Sequence, residues 1–379
     1  MAEQILPAMQ GFSRRQMMRA ASVIGVGASL PFYNEFAMAQ QASRAMRAAM
    51  PADAVRIGSN ENPLGPCPEA LEAIYKVAKF GGRYSPNGEQ GDFVQAVCDV
   101  EGVKPDYVAA YAGSSDPLHR SVCAFTSPTK SWVMSNPGYE SGAGTAKFIG
   151  VNVHRVPLKA DYSHDVKAML KADPNAGVYY ICNPNNPTGT ITKRSEIEWL
   201  LANKPKDSVV VLDEAYIHFC DEMPGSDLVA KDKDVVVLRT FSKAYGMAGI
   251  RAGMAIARPD LLAKMRPYGS GMLPITGLAA ATASLRVKTL VAERKAINTK
   301  IRENTLEFLD KKGIKYIPSV SNKFLMETGK PGAEVSRAFA QHKVFIGRTW
   351  PVYPTMVRVS IGTQDDMDKF KAALVKVMG

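Results

Sequence analysis

The sequence has little that would hold a metal. Its five cysteines, Cys67, Cys98, Cys123, Cys182 and Cys220, are scattered, odd in number and free of the short spacings of a zinc site. Its five histidines form no HExxH or similar set. One cysteine pair can bond in an oxidising compartment, but buried free thiols are the expectation. Internal repeats and low-complexity stretches are absent. So are a helix-turn-helix pattern and any basic stretch interleaved with aromatics. The net charge of +11 is therefore not a nucleic-acid footprint. It favours solubility or draws anionic substrates. Gly25-Val26-Gly27 follows no strand and lacks a third glycine, which excludes a nucleotide loop.

Three segments carry chemistry. In the first, Arg239-Thr240-Phe241-Ser242-Lys243 runs through small residues to Arg251. A lysine amine that condenses with an aldehyde needs hydroxyl donors and a fixed positive charge to hold a phosphate beside it. On that reading Lys243 is the Schiff-base lysine of a pyridoxal phosphate enzyme. Ser242 and Arg251 grip the phosphate, with Thr240 in the same cofactor set. The plain alternative for this segment alone is a solvated turn.

The second segment is Ser208-Val209-Val210-Val211-Leu212, a continuous apolar run that reads as a strand buried on both faces of a parallel sheet. It ends in Asp213-Glu214-Ala215-Tyr216. The C-terminal ends of such strands are where open α/β sheets bind ligands. There Asp213 can keep a pyridine nitrogen protonated, and Tyr216 can offer its phenol to the ring's 3-oxygen. The alternative is a strand-end Asp that caps the next helix. The third segment, Cys182-Asn183-Pro184-Asn185-Asn186-Pro187-Thr188-Gly189, is a rigid turn that can point the Asn186 amide at a ring oxygen.

In this order and spacing the three segments resemble the class I/II aminotransferases of PLP fold type I, in particular their histidinol-phosphate aminotransferase branch. The resemblance runs from about Asn60 to the C-terminus. It implies an α/β fold, with a large domain of mostly parallel central sheet flanked by helices and a smaller α+β domain. The large pyridoxal-phosphate-binding domain is expected over 76–270. The small domain combines part of 40–75 with 275–379, and 40–56 is expected to be a loose arm. Residues 293–312 read as a long helix with apolar positions Ile297, Ile301, Leu306 and Leu309.

The same resemblance implies further site residues. Ser59-Asn60-Glu61-Asn62-Pro63 is similar to the opening that borders the substrate pocket, which brings in Asn60. Arg83-Tyr84-Ser85-Pro86 resembles an Arg-Tyr-Pro element, here with an inserted serine, whose tyrosine reaches the cofactor phosphate of the neighbouring subunit. Tyr84 and a homodimer follow. Gly113-Ser114-Ser115-Asp116 matches a turn that opens a helix, where Ser114 and Ser115 can meet the phosphate. An aromatic at the position of Tyr139 lies on the pyridine ring in this family. Arg358 is the expected fork for the substrate α-carboxylate. Arg348 matches a position that helps hold the distal phosphate in the histidinol-phosphate enzymes, though its segment is otherwise poorly matched.

The implied activity is transfer of an amino group from an amino acid or related amine to a 2-oxo acid, by double displacement through Lys243. Pyridoxal 5′-phosphate is the implied cofactor, with Lys243 moving the α-proton. A decarboxylase or lyase on the same scaffold is the nearer alternative. A non-catalytic pyridoxal-phosphate-binding module is the remote one. Histidinol phosphate is a cytosolic intermediate, so a free, bulky or aromatic amino acid is the expected donor if the protein is exported.

Export is the expectation from the N-terminus. Ser13-Arg14-Arg15-Gln16-Met17-Met18-Arg19 precedes an apolar stretch, Ala20–Phe32, too brief to span a bilayer. Ala37-Met38-Ala39 supplies a cleavage site. The whole resembles a twin-arginine export signal over 1–39, with engagement of the export machinery, cleavage near Ala39 and a periplasmic enzyme that acquires its cofactor before crossing.

Overall fold

The structure, a computed structural model, describes residues 51–269 and 271–379. The expected export signal and most of the arm lie outside the described residues. Strand β1 (Val55–Ile57) precedes helices α1 (Pro68–Ala78) and α2 (Glu89–Glu101). Strand and helix then alternate: β2 (Val108–Tyr111), α3 (Ser115–Phe125), β3 (Trp132–Asn136), α4 (Ser141–Phe148), β4 (Val153–Pro157), α5 (Val166–Ala172), β5 (Val178–Cys182), α6 (Arg194–Asn203), β6 (Val209–Asp213), α7 (Ser226–Ala230), β7 (Val235–Thr240) and β8 (Gly253–Ile256). The remainder comprises α8 (Pro259–Met265), α9 (Ile275–Arg286), α10 (Leu290–Lys311), β9 (Tyr316–Ile317), β10 (Lys323–Glu327), α11 (Gly332–Gln341), β11 (Val344–Ile346), β12 (Met356–Ser360) and α12 (Gln364–Met378).

Seven strands form the large sheet in the order β2-β8-β7-β6-β5-β3-β4. Every pairing among β4, β3, β5, β6 and β7 is parallel, and β8 runs antiparallel to both β7 and β2. The apolar runs of β5, β6 and β7 are buried at every position because helices cover both sides. Successive side chains divide between two cores. Val210, Leu212, Val235 and Val237 enter one, and Val209, Val211, Val236 and Leu238 enter the other. The fold is the mixed α/β architecture of fold type I.

A second region holds the antiparallel sheet β12-β10-β9 and the parallel pair β1-β11. Phe324, Met326, Val357 and Val359 pack there with Leu309, Phe339 and Phe370. The long helix begins at Leu290, one turn earlier than the apolar pattern suggests. Ile301, Leu306 and Leu309 are buried on it, but Ile297 is 42% exposed. Ile297 lies one turn short of the small core and faces an open groove lined by Pro63, Leu64 and Phe219. The five cysteines are free thiols, with Cys67 and Cys182 buried.

Candidate active site

Parallel alignment brings the C-terminal ends of β5, β6 and β7 to one edge of the large sheet. Cys182 pairs in register with Asp213, and Asp213 with Leu238. Asp213 is buried. Its Oδ2 accepts from the Tyr180 hydroxyl at 2.8 Å and its Oδ1 from the Ala215 N–H at 3.1 Å. Burial pushes the Asp213 carboxyl above its usual range, against those two donors and the positive charges of Lys243 and Lys323. Lys243 lies in the turn after β7, half-buried, with Nζ 3.5 Å from the Ser59 carbonyl and 5.6 Å from the centroid of the Tyr216 ring.

Hydroxyls and a guanidinium gather beside this lysine. Thr240 Oγ1 donates to Ser242 Oγ at 2.9 Å and accepts from the Ser242 N–H at 3.1 Å. Arg251, at φ 70°, donates through Nη1 to Ser242 Oγ at 3.4 Å and to the Ala248 carbonyl at 2.8 Å. Its Nη2 donates to the Ala112 carbonyl at 3.0 Å. Partial burial lowers the Arg251 guanidinium from its usual value. The guanidinium packs against Gly113, where a Cβ would come within 2.3 Å of Nη2. Ser114 and Ser115 follow at the start of α3, half-buried, and the Ser114 hydroxyl makes no capping bond to the helix. The helix N-terminus and the Arg251 fork thus serve the same small volume.

Across the seam between the two regions, Asn60 Nδ2 donates to the Tyr216 hydroxyl at 3.0 Å. Asn60 is fixed in turn by Ser360 of β12, whose Oγ accepts from the Asn60 N–H at 2.8 Å and donates to its Oδ1 at 3.1 Å. Arg358 of β12 donates through Nη1 to Asn186 Oδ1 at 3.0 Å and through Nη2 to the Gly58 carbonyl at 2.7 Å. The Asn-Pro turn is held closely by the small region. Gly189 sits at φ 73°, where a Cβ would meet Ser319 Oγ at 1.9 Å, and its carbonyl accepts from the Val320 N–H at 3.0 Å.

The aminotransferase class I and II family model matches residues 52–374. The chain belongs to that family, and it is a transaminase. It is 34% identical over 336 residues to histidinol-phosphate aminotransferase 1 of Nitrosococcus oceani, covering 86% of this chain and 89% of that protein. It is also 34% identical to an aromatic amino acid aminotransferase of Cutibacterium acnes, over 85% of this chain and 92% of that one. Among solved structures, histidinol-phosphate aminotransferase of Sinorhizobium meliloti in complex with pyridoxal-5′-phosphate superposes with a TM-score of 0.79. The identity there is 28%, over 86% of this chain and 90% of that one.

Within this aminotransferase fold, Lys243, Asp213, Tyr216, Asn60, Asn186 and Arg358 form one cluster, and Thr240, Ser242 and Arg251 adjoin it beside Ser114 and Ser115. Tyr139 is half-buried against the second large core, with Arg251 and Tyr180 in its electrostatic surroundings. Tyr84 stands apart, 87% exposed on the single chain. Arg348 is engaged by Glu140 of the large region, and its guanidinium lies 4.4 Å from the Trp350 ring centroid.

Two supporting groups escape a motif reading. Tyr180 holds Asp213 from the neighbouring strand, two positions before Cys182, and reads in the sequence only as part of an apolar run. Glu214 faces away from the site. Its Oε2 accepts from Arg239 Nε at 2.7 Å, and Arg239 Nη1 also donates to Glu101 at 2.7 Å. Burial alone would lower the Arg239 guanidinium, but these two carboxylates raise it. The adjacent acids Asp213 and Glu214 therefore serve different ends.

Proposed function

We propose that this chain is an exported pyridoxal-phosphate-dependent aminotransferase in which Lys243 holds the cofactor and Arg358 the substrate α-carboxylate. The observation that carries the reading is Asp213: a buried carboxylate among hydroxyl and amine neighbours, at the edge where Lys243, Tyr216 and the Arg251 fork converge. An uncompensated buried charge is costly. A protonated pyridine nitrogen beside it would remove that cost. The donor set at the other end, Thr240, Ser242, Arg251 and the start of α3, suits a phosphate dianion. The residues present fit pyridoxal 5′-phosphate at both ends.

When bound, the cofactor supplies an aldehyde that takes up the amino group and a ring that draws electrons from the substrate α-carbon. Lys243 would hold it covalently through Nζ. The Lys243 amine would serve as the general base and then the general acid for the substrate α-proton. Asp213 holds a proton at the ring nitrogen. Tyr216 and Asn186 orient the ring oxygen. Arg358 grips the α-carboxylate and so sets which substrate bond faces the ring.

For the donor, a free amino acid with a bulky side chain is the reading. Its support is that Arg348 is already paired with Glu140 and covered by Trp350, which suits an uncharged side chain better than a distal phosphate. A homodimer in which Tyr84 reaches the neighbouring site is supported by an exposed apolar run: Leu71, Tyr75, Phe80 and Tyr84 are 53%, 84%, 37% and 87% exposed. Periplasmic placement by the twin-arginine route rests on the composition of residues 1–39 alone.

Single-turnover absorbance of the holoenzyme against a panel of amino acids tests the reaction. Amino acids should convert the lysine-bound chromophore to the amine form, and a 2-oxo acid should restore it. Release of carbon dioxide would argue for decarboxylation instead. A fast response to histidinol phosphate alone would overturn the donor assignment. Recovery of the enzyme only in the cytosol of a bacterium with intact export machinery would overturn the periplasmic one.

A further inference from the structure

Lys323 is a buried cation that the motifs do not account for. In the antiparallel pair β10–β12, Lys323 lies opposite Ser360 and Leu325 opposite Arg358. Opposed residues share a face, so these four side chains project together, away from the core that takes Phe324, Met326, Val357 and Val359. Their face looks toward the large sheet. There Arg358 meets Asn186, Ser360 meets Asn60, and Lys323 Nζ lies 3.1 Å from the centroid of the Tyr216 ring. The ammonium also donates to Ser321 Oγ at 3.1 Å. Lys323 has no exposed surface. Lysine is rarely buried to that extent, because desolvation disfavours its charged form.

Two amines therefore flank one phenol, since Lys243 Nζ is 5.6 Å from the same ring centroid. The phenol oxygen accepts from Asn60 Nδ2 at 3.0 Å. A cation on the ring face and a donor on the oxygen both favour negative charge at that oxygen. We propose that Lys323 is a positioning residue that acts on Lys243 through Tyr216. Its ammonium makes the phenol a stronger donor to the cofactor's 3-oxygen, which keeps the cofactor-linked Lys243 nitrogen unprotonated near neutral pH. This rests on the reading of Tyr216 as the phenol at that oxygen.

The other titratable and charged groups around this pair come from separate elements. Asp213 on β6 favours a proton on Lys243 and so opposes Lys323. Arg358 on β12 acts with Lys323. Tyr180 and Cys182 on β5 are held neutral, since burial raises both well above their usual values. Arg251 and Tyr139 lie toward the phosphate end.

The test is a pH titration of the bound cofactor's absorbance in purified holoenzyme, with thermal melting to check the fold. Lys323→Met should raise the midpoint by roughly half a unit to one unit. Lys323→Arg, which keeps the charge, should leave it near wild type. Tyr216→Phe should raise it alone, and adding Lys323→Met to that background should change little more. An unchanged midpoint in Lys323→Met, or an equal rise in both backgrounds, would overturn the proposal. A wild-type midpoint in Tyr216→Phe would instead overturn the reading of Tyr216. Lys323→Gln gives the same comparison should the methionine variant not fold.

Discussion

Arg358 Nη1 donates to Asn186 Oδ1 at 3.0 Å, so the small sheet and the Asn-Pro turn of the large sheet share one buried contact. The same guanidinium reaches the Gly58 carbonyl at 2.7 Å. One side chain thus touches the turn after β5, the segment after β1 and the position assigned to the substrate α-carboxylate. Its planar fork is what allows this, because five donors in a fixed plane can be divided among several acceptors.

Arg358→Lys should therefore be far from conservative. A lysine supplies a point charge but cannot serve the turn and a carboxylate together. We expect KM for amino acids to rise by roughly 10- to 100-fold, with a smaller fall in kcat and an intact lysine-bound chromophore. Steady-state kinetics with absorbance spectra checks this. A loss of chromophore would mean that Arg358 serves the cofactor rather than the substrate.

Gly113 has φ 94°, and its missing side chain leaves the room in which Arg251 lies. Gly113→Ala adds left-handed strain of about 1–2 kcal/mol and pushes the guanidinium from its place beside Ser242. Cofactor affinity should fall by at least about tenfold, in line with loss of a charge-assisted hydrogen bond. Equilibrium dialysis against pyridoxal 5′-phosphate reads the change directly. Equal affinity in variant and wild type would remove Arg251 from the phosphate site.

Asp213 makes opposite predictions for the two forms of the protein. Its folded pKa is raised by burial, so in cofactor-free protein its contribution favours the fold below the ordinary aspartate pKa. That contribution declines as pH rises through the folded value. Asp213→Asn carries no charge. Cofactor-free Asp213→Asn should melt at or above wild type at pH 7. The holoenzyme variant should melt below its wild-type counterpart and turn over at least about 100-fold more slowly, as expected for loss of a charge partner in the reaction. Calorimetry with and without cofactor separates the cases, and a lower melting point in both forms would make Asp213 a structural residue.

His164 should govern part of the acid sensitivity. It is buried, bonded at Nδ1 to Ser135 Oγ and at Nε2 to the Cys182 carbonyl, and burial pushes it down to about 4. A depressed folded pKa means that the neutral ring's contribution is full above the unfolded value near 6.5. It is lost as pH falls toward 4. The shift corresponds to roughly 3 kcal/mol at most. Urea unfolding of His164→Gln across that range should show a flatter pH dependence than wild type. An unchanged slope would place the acid sensitivity elsewhere.

The cofactor end of the site was legible because buried parallel strands announce themselves. The runs Gly177–Ile181 and Val209–Leu212 are continuous and apolar, so the first polar residues after them mark the sheet edge. Arg251 was legible from its spacing to Ser242 and Lys243. Lys323 was not, because a lysine in a short strand of a small region reads as a solvent-facing residue. Only the pairing register of β10 with β12 turns it toward Tyr216. Ile297 shows the reverse error. It keeps the helical period of a core residue, yet sits on a turn that runs beyond the core it would join. Tyr84 has its proposed role only beside a second copy, which one chain's sequence describes poorly.

The pairing of Val55–Ile57 with Val344–Ile346, and of Asn60 with Ser360, ties the beginning of the described chain to its end. During synthesis this imposes an order of completion. The strands of the large sheet lie within residues 108–256, so a ribosome releases all of them, and Lys243 with them, before β10 or β12 exists. A chain halted short of Arg358 owns Lys243 and Arg251 but lacks the residue assigned to the donor's carboxylate. Cofactor capture can therefore precede discrimination among donors in the life of each molecule.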